Sequence, residues 1–193
     1  HTITAEVLND EPLIVKFTNV LSDEECQALI KDAAARLQRS KLANKEVSQI
    51  RTSSGMFFEE NESPLIHIIE KRVAKLMHLP LENAEGLQVL HYEPGQEFKP
   101  HFDYFGSHHP SSSNNRISTL VMYLNDVEEG GVTTFPNLSL SNTPAKGSAI
   151  YFEYFYNDSK INELTLHSGD PVIRGEKWIA TQWMRKKGIR DRY

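Results

Sequence analysis

The chain has 193 residues, 39% of them hydrophobic, a formal net charge of −5 and one cysteine, which fits a single domain able to bury one sizeable core. That charge leaves no basic footprint for nucleic acid, and no stretch approaches the roughly 20 apolar residues needed to span a membrane. The lone Cys26 excludes an intrachain disulfide and, with no signal-peptide pattern at the start, favours a reducing, cytoplasmic setting.

Ser22 with Glu25 forms a capping box, and Leu21 stands where a hydrophobic staple would sit. Cys26, Leu29, Ile30, Ala33 and Leu37 then recur at helical spacing, so this stretch predicts a helix with one buried stripe, and Cys26 is a small core residue. A second helix is expected to take Ser63 as cap and Pro64 as its first residue, to carry Ile66, Ile69, Val73 and Leu76 inward, and to stop before Pro80. Residues 1–86 thus read as mainly helical support.

Beyond Gly86 the period changes to short strand-like runs at 87–92, 117–124, 132–135, 148–155, 164–167 and 177–184, punctuated by Gly, Pro and Asn. Many short strands around a cavity predict an α+β chain. Its core over 87–186 would be a double-stranded β-helix, or jelly roll, supported by the N-terminal helices within a single domain, 1–193. The polar run from Ser107 to Asn115 offers little to pack, so the segment from Tyr104 to Arg116 is expected to be a mobile loop that orders over a ligand.

His101-Phe102-Asp103 is the feature that carries chemistry. On an extended segment both polar side chains point to one face, and His167, 66 residues further on, can complete that face. Two imidazoles and a carboxylate on one face suit non-haem Fe(II), because they leave positions open for a co-substrate and dioxygen. Zinc could take the same ligands, but no general base stands at motif spacing for a hydrolase. The remaining histidines read as structural or solvated: His67 and His78 fall in the second helix pattern, His108 and His109 in the polar loop, and alternation sets His91 opposite Tyr92.

From Leu87 to Arg185 the ordered blocks HYEPGQEFKPHFD, RISTLVMYLN, GGVTTFP, KGSAIYF and HSGDPVIRGEKWIATQW resemble the catalytic domain of the prolyl 4-hydroxylases that depend on Fe(II) and 2-oxoglutarate, of the bacterial, cytoplasmic type. Residues 50–55, IRTSSG, extend the likeness upstream. The resemblance implies iron held by His101, Asp103 and His167, with 2-oxoglutarate and O2 as co-substrates, L-ascorbate as reductant, and succinate and CO2 as co-products. Lys177, ten residues after His167, would pair with the distal carboxylate of 2-oxoglutarate, and Tyr92 and Thr133 would help to hold it. Trp183 and Arg116 would contact a proline-containing peptide or protein substrate, and the assembly would be a homodimer.

The residues themselves add two points. Lys177, flanked by Trp178 and Ile179, begins a strand that should be largely buried, and alternation puts Trp183 on the face of Lys177, Ile179 and Thr181. Two positions depart from the family pattern: Phe98 stands where a tyrosine is common, and Asp170 where a cysteine is. A dioxygenase with a non-prolyl substrate and a non-catalytic metal-binding jelly roll are the alternatives, the second disfavoured because a metal store has no use for Lys177.

Overall fold

The computed structural model describes residues 2–39 and 49–191. Both expected helices form as their caps dictate. In α1 (Asp23–Ala34) Ser22 Oγ accepts from the Glu25 N–H at 3.1 Å while Glu25 Oε2 accepts from the Ser22 N–H at 2.9 Å. In α2 (Pro64–Leu76) Ser63 Oγ accepts from the Ile66 N–H. Arg72 of α2 grips both oxygens of Glu25 at 2.7 and 2.8 Å, so the cap of one helix also fixes the other. Cys26, Leu29, Ala33, Ile66, Ile69 and Val73 are buried, as the periodicity predicts. No helix among the described residues is long and apolar enough to cross a membrane.

In chain order the strands are β1 (Thr4–Asn9), β2 (Ile14–Thr18), β3 (Gln38–Arg39), β4 (Ser54–Phe57), β5 (Gln88–Tyr92), β6 (Phe98–His101), β7 (Arg116–Tyr123), β8 (Glu129–Gly130), β9 (Thr133–Phe135), β10 (Leu140–Asn142), β11 (Ala149–Glu153), β12 (His167–Gly169), β13 (Val172–Arg174) and β14 (Lys177–Arg185). They make an eight-stranded sheet in the order β1-β2-β11-β7-β14-β5-β4-β3, a four-stranded sheet in the order β10-β9-β12-β6, and the pair β13-β8. All the pairings are antiparallel. The fold is the expected jelly roll.

The large sheet divides the core in two, because its strands are apolar on both faces. Val89, Leu120, Met122, Tyr151 and Ala180 pack against the helices. Leu90, Tyr92, Val121, Tyr123, Ile150, Phe152 and Ile179 face the small sheet, where Phe135 meets them. The second space holds the site.

Three expectations are corrected. The first 86 residues supply more than helical support, since β1 to β4 extend the large sheet at both edges; these strands are short, and β1 is exposed along most of its length while only β2 carries a buried apolar start, Ile14-Val15. The strand expected at 164–167 begins only at His167: α3 (Ser159–Glu163) intervenes, capped by Asp158 and closed by Thr165 Oγ1 on Asn162 O. The segment from Tyr104 to Arg116 is not a loose polar connection. Asn115 Oδ1 accepts from the N–H groups of Phe105 and Arg116, its amide donates to Phe105 O, and Asn114 bonds twice to the Lys187 backbone. Pro110–Asn114 forms a 3-10 turn within it.

Candidate metal centre

Cross-strand register creates the site. His101 and His167 are direct partners across β6 and β12, and their rings stand edge to face with centroids 4.3 Å apart. The strand ends at His101, so Asp103 sits on the bend after it rather than on an extended segment, yet its carboxylate still reaches the imidazoles. Asp103 Oδ1 lies 3.3 Å from His101 Nε2 and 3.4 Å from His167 Nε2. This is the one group of its kind among the described residues.

Each imidazole is oriented by its other nitrogen. His101 Nδ1 is 2.7 Å from Lys99 O and His167 Nδ1 is 2.8 Å from Thr165 O. A carbonyl can only accept, so both Nδ1 atoms carry the proton and both Nε2 lone pairs face Asp103. Burial would raise the Asp103 carboxyl, but the positive charge that the two imidazoles carry when protonated holds it well below the usual carboxylate range. Burial lowers His101, helped by His167; burial also lowers His167, but Asp103 more than restores it. A carboxylate facing two imidazole lone pairs is a donor set that fits a divalent transition ion.

The far oxygen of Asp103 is equally defined. Oδ2 accepts from Thr119 Oγ1 at 2.7 Å and from the Trp183 indole N–H at 3.1 Å, and the Thr119 hydroxyl lies 2.8 Å from Tyr154 Oη. Trp183 faces the cavity, as alternation predicted, but it is only 6% exposed and its polar atom serves Asp103. Arg116 is half-buried against it: the guanidinium stacks 3.8 Å from the indole, chelates Glu85 at 2.8 and 2.9 Å, and reaches Asp103 O at 3.3 Å. Sequence reasoning missed Thr119, Tyr154 and Glu85. Alternation along β7 is the signal that could have found Thr119, since it shares a face with Val121 and Tyr123.

Beside His101, Asp103 and His167 the cavity is lined by Tyr92, Val121, Thr133, Lys177, Ile179 and Thr181. Lys177 is 2% exposed and pairs with no carboxylate among the described residues; burial pulls its pKa down to about 8 against the pull of Asp170. Its Nζ lies 5.1 Å from the centre of the Tyr92 ring. Tyr92 has its own hydroxyl pushed up to about 12 by burial, in spite of Arg51 and a hydrogen bond with Ser53. Thr133 Oγ1 meets Tyr123 Oη at 2.6 Å, and Asn142 Nδ2 donates to that phenol at 3.3 Å. The Asn142 amide donates to that phenol, and either hydroxyl of the Tyr123–Thr133 pair can supply the proton between them.

A groove of about 410 Å³ opens from His101 and Asp103, walled by Phe57, Phe98, Phe102, Tyr104, Phe105 and Trp183, with Arg51, Gln88 and Arg116 between them. Phe98, one of the two departures, stacks on His101 with ring centres 3.4 Å apart. Asp170, the other, accepts from Thr134 and Ser168 hydroxyls, both at 2.7 Å, and makes no contact with the ligand group.

A jelly roll with this donor set and a buried cation beside it defines an oxygenase centre, and the chain belongs to the 2OG-Fe(II) oxygenase superfamily, whose pattern matches residues 87–185. It is 39% identical to "Probable prolyl 4-hydroxylase 3" of Arabidopsis thaliana over 93% of this chain and 71% of that protein. It is 33% identical to the viral collagen prolyl hydroxylase of Paramecium Bursaria Chlorella virus-1, solved with 2OG, with a TM-score of 0.73 over 89% of this chain and 95% of that one. The fold is shared with a Trichoplax adhaerens prolyl hydroxylase in complex with a hypoxia inducible factor peptide, at 18% identity and a TM-score of 0.68 over 92% of this chain and 84% of that one. Within the superfamily the chain is a member of the prolyl 4-hydroxylases.

Proposed function

We propose that this chain is an Fe(II)- and 2-oxoglutarate-dependent dioxygenase that hydroxylates prolyl residues in peptides or proteins. The observation that carries it is the group of His101, Asp103 and His167 in the same cavity as Lys177, a buried ammonium that pairs with no carboxylate among the described residues. Iron(II), 2-oxoglutarate and dioxygen supply the oxidation: one oxygen atom goes to the substrate carbon and the other to the succinate formed as CO2 is lost.

The protein contributes placement. His101, Asp103 and His167 hold the ion from one side. Lys177 supplies the charge for the distal carboxylate of 2-oxoglutarate, and Thr133 lines the same space with its hydroxyl held beside Tyr123. Tyr92 walls that pocket. The aromatic groove outside suits the flat, apolar ring of proline, which packs on aromatic faces with little entropy to lose. Trp183 and Arg116 shape its inner end, and Trp183 has the further task of holding Asp103. Ascorbate as reductant, a homodimeric assembly and a bacterial, cytoplasmic setting belong to the same reading; the single, buried Cys26 supports the last of these.

The test is mass spectrometry of a panel of proline-containing peptides after incubation with iron(II), 2-oxoglutarate and ascorbate. A gain of one oxygen localised to proline, dependent on 2-oxoglutarate and absent with His101→Ala, is expected. Oxidation confined to another residue type would overturn the prolyl assignment.

A further inference from the structure

We propose that Thr119 and Tyr154 are positioning residues that act through Asp103, keeping it a one-oxygen ligand so that the cation retains room for its co-substrate. The inference rests on the metal reading above and goes beyond it. Asp103 turns Oδ1 toward both imidazoles and Oδ2 away from them. A carboxylate oxygen offers two in-plane lone pairs, and Oδ2 has two donors, Thr119 and Trp183.

The direction of these bonds follows from the chemistry of each partner. An ionised carboxylate only accepts, so Thr119 must give its proton to Oδ2. The contact between Thr119 and Tyr154 then has one remaining sense: the phenol donates and the threonine accepts. The order Tyr154 to Thr119 to Asp103 is fixed, and the three residues are buried, with exposures of 4%, 0% and 7%. The frame is rigid, because Thr119 lies on β7 opposite Phe152 of β11 and the Tyr154 N–H bonds to Ile117 O. Without the Thr119 donor, Oδ2 keeps one partner and the carboxylate is free to turn both oxygens onto a cation.

Thr119→Val keeps the shape and removes the O–H, Thr119→Ser restores it, and Tyr154→Phe removes the outer donor alone. Each variant is loaded with iron(II) without oxygen and titrated with 2-oxoglutarate, following the visible charge-transfer absorption of the complex, while iron binding is measured separately. Thr119→Val should bind iron as well as the parent but 2-oxoglutarate roughly tenfold more weakly, the size expected for losing one hydrogen bond to a charged group, and its absorption band should move. Thr119→Ser should recover both, and Tyr154→Phe should show a smaller change in the same direction. Parent-like affinity and spectrum in folded Thr119→Val overturn the proposal; so does a parent-like Tyr154→Phe if Thr119→Val does not fold. His101→Ala binding iron like the parent would instead bring down the metal reading itself.

Discussion

Lys177 shows at the scale of one residue how function and stability oppose each other. Its pKa is about 8 in the fold against an ordinary 10.5. Between those values the unfolded chain holds a proton that the folded chain releases, so the destabilisation is complete below pH 8 and lifts as pH rises toward 10.5. Lys177→Met should therefore stabilise the protein at pH 7 by up to about 3 kcal/mol in chemical denaturation. It should also weaken 2-oxoglutarate binding by about 2 to 5 kcal/mol and abolish the fall in affinity expected for the parent as pH passes through 8. A variant that is no more stable and binds as well would remove Lys177 from the pocket. That Lys177 shares a cavity with the cluster of His101, Asp103 and His167 was legible in the sequence because the chemistry of those residues is rare and their spacing ordered. Thr119 was not, since RISTLVMY reads as an apolar strand and the partner that gives its hydroxyl meaning, Tyr154, comes 35 residues later.

Among the elements, helices announced themselves through their caps and the central strands through their apolar runs, while the loop from Tyr104 to Arg116 misled. Its Ser and Asn content lowers hydrophobicity, the usual mark of mobility, but Asn side chains can also replace backbone partners. Asn115 does so by serving two N–H groups and one carbonyl, and Arg116 and Arg185 lie over the Phe105 ring at 4.7 and 5.0 Å. Asn115→Ala should thus raise the hydrogen-exchange rates of the Phe105 and Arg116 amides by tenfold or more, at about 1 kcal/mol per lost bond, and slow peptide turnover more than it alters 2-oxoglutarate affinity. Unchanged exchange at both amides would show that the stacked rings alone hold the loop. Strands β1 to β4 escaped the sequence because they are short, and the outermost pair, β1 and β3, is largely exposed and carries little alternation.

Across the whole molecule, the end of the chain is tied to the helical layer by Arg190 and Glu70, both side chains fully buried, with paired bonds of 3.0 and 2.7 Å. Arg190 also donates to Ala84 O and Glu85 O, next to the carboxylate that holds Arg116 and Arg185. Removing one partner strands a buried charge, so Glu70→Ala should cost roughly 3 to 5 kcal/mol in thermal or denaturant unfolding, and a double change, Glu70→Leu with Arg190→Met, should cost less than either alone. Equal losses in single and double variants would mean that the backbone contacts of Arg190 matter more than the pair. The register match of His101 with His167 has a consequence at this scale too. β6 lies at the rim of the four-stranded sheet, so an ion gripped by both histidines works as a removable rivet between segments 66 residues apart. At a metal concentration 100 times the dissociation constant it should add about 2.7 kcal/mol to stability. A chelator should lower the melting temperature accordingly and open the amides of β6 before the rest of the molecule lets go.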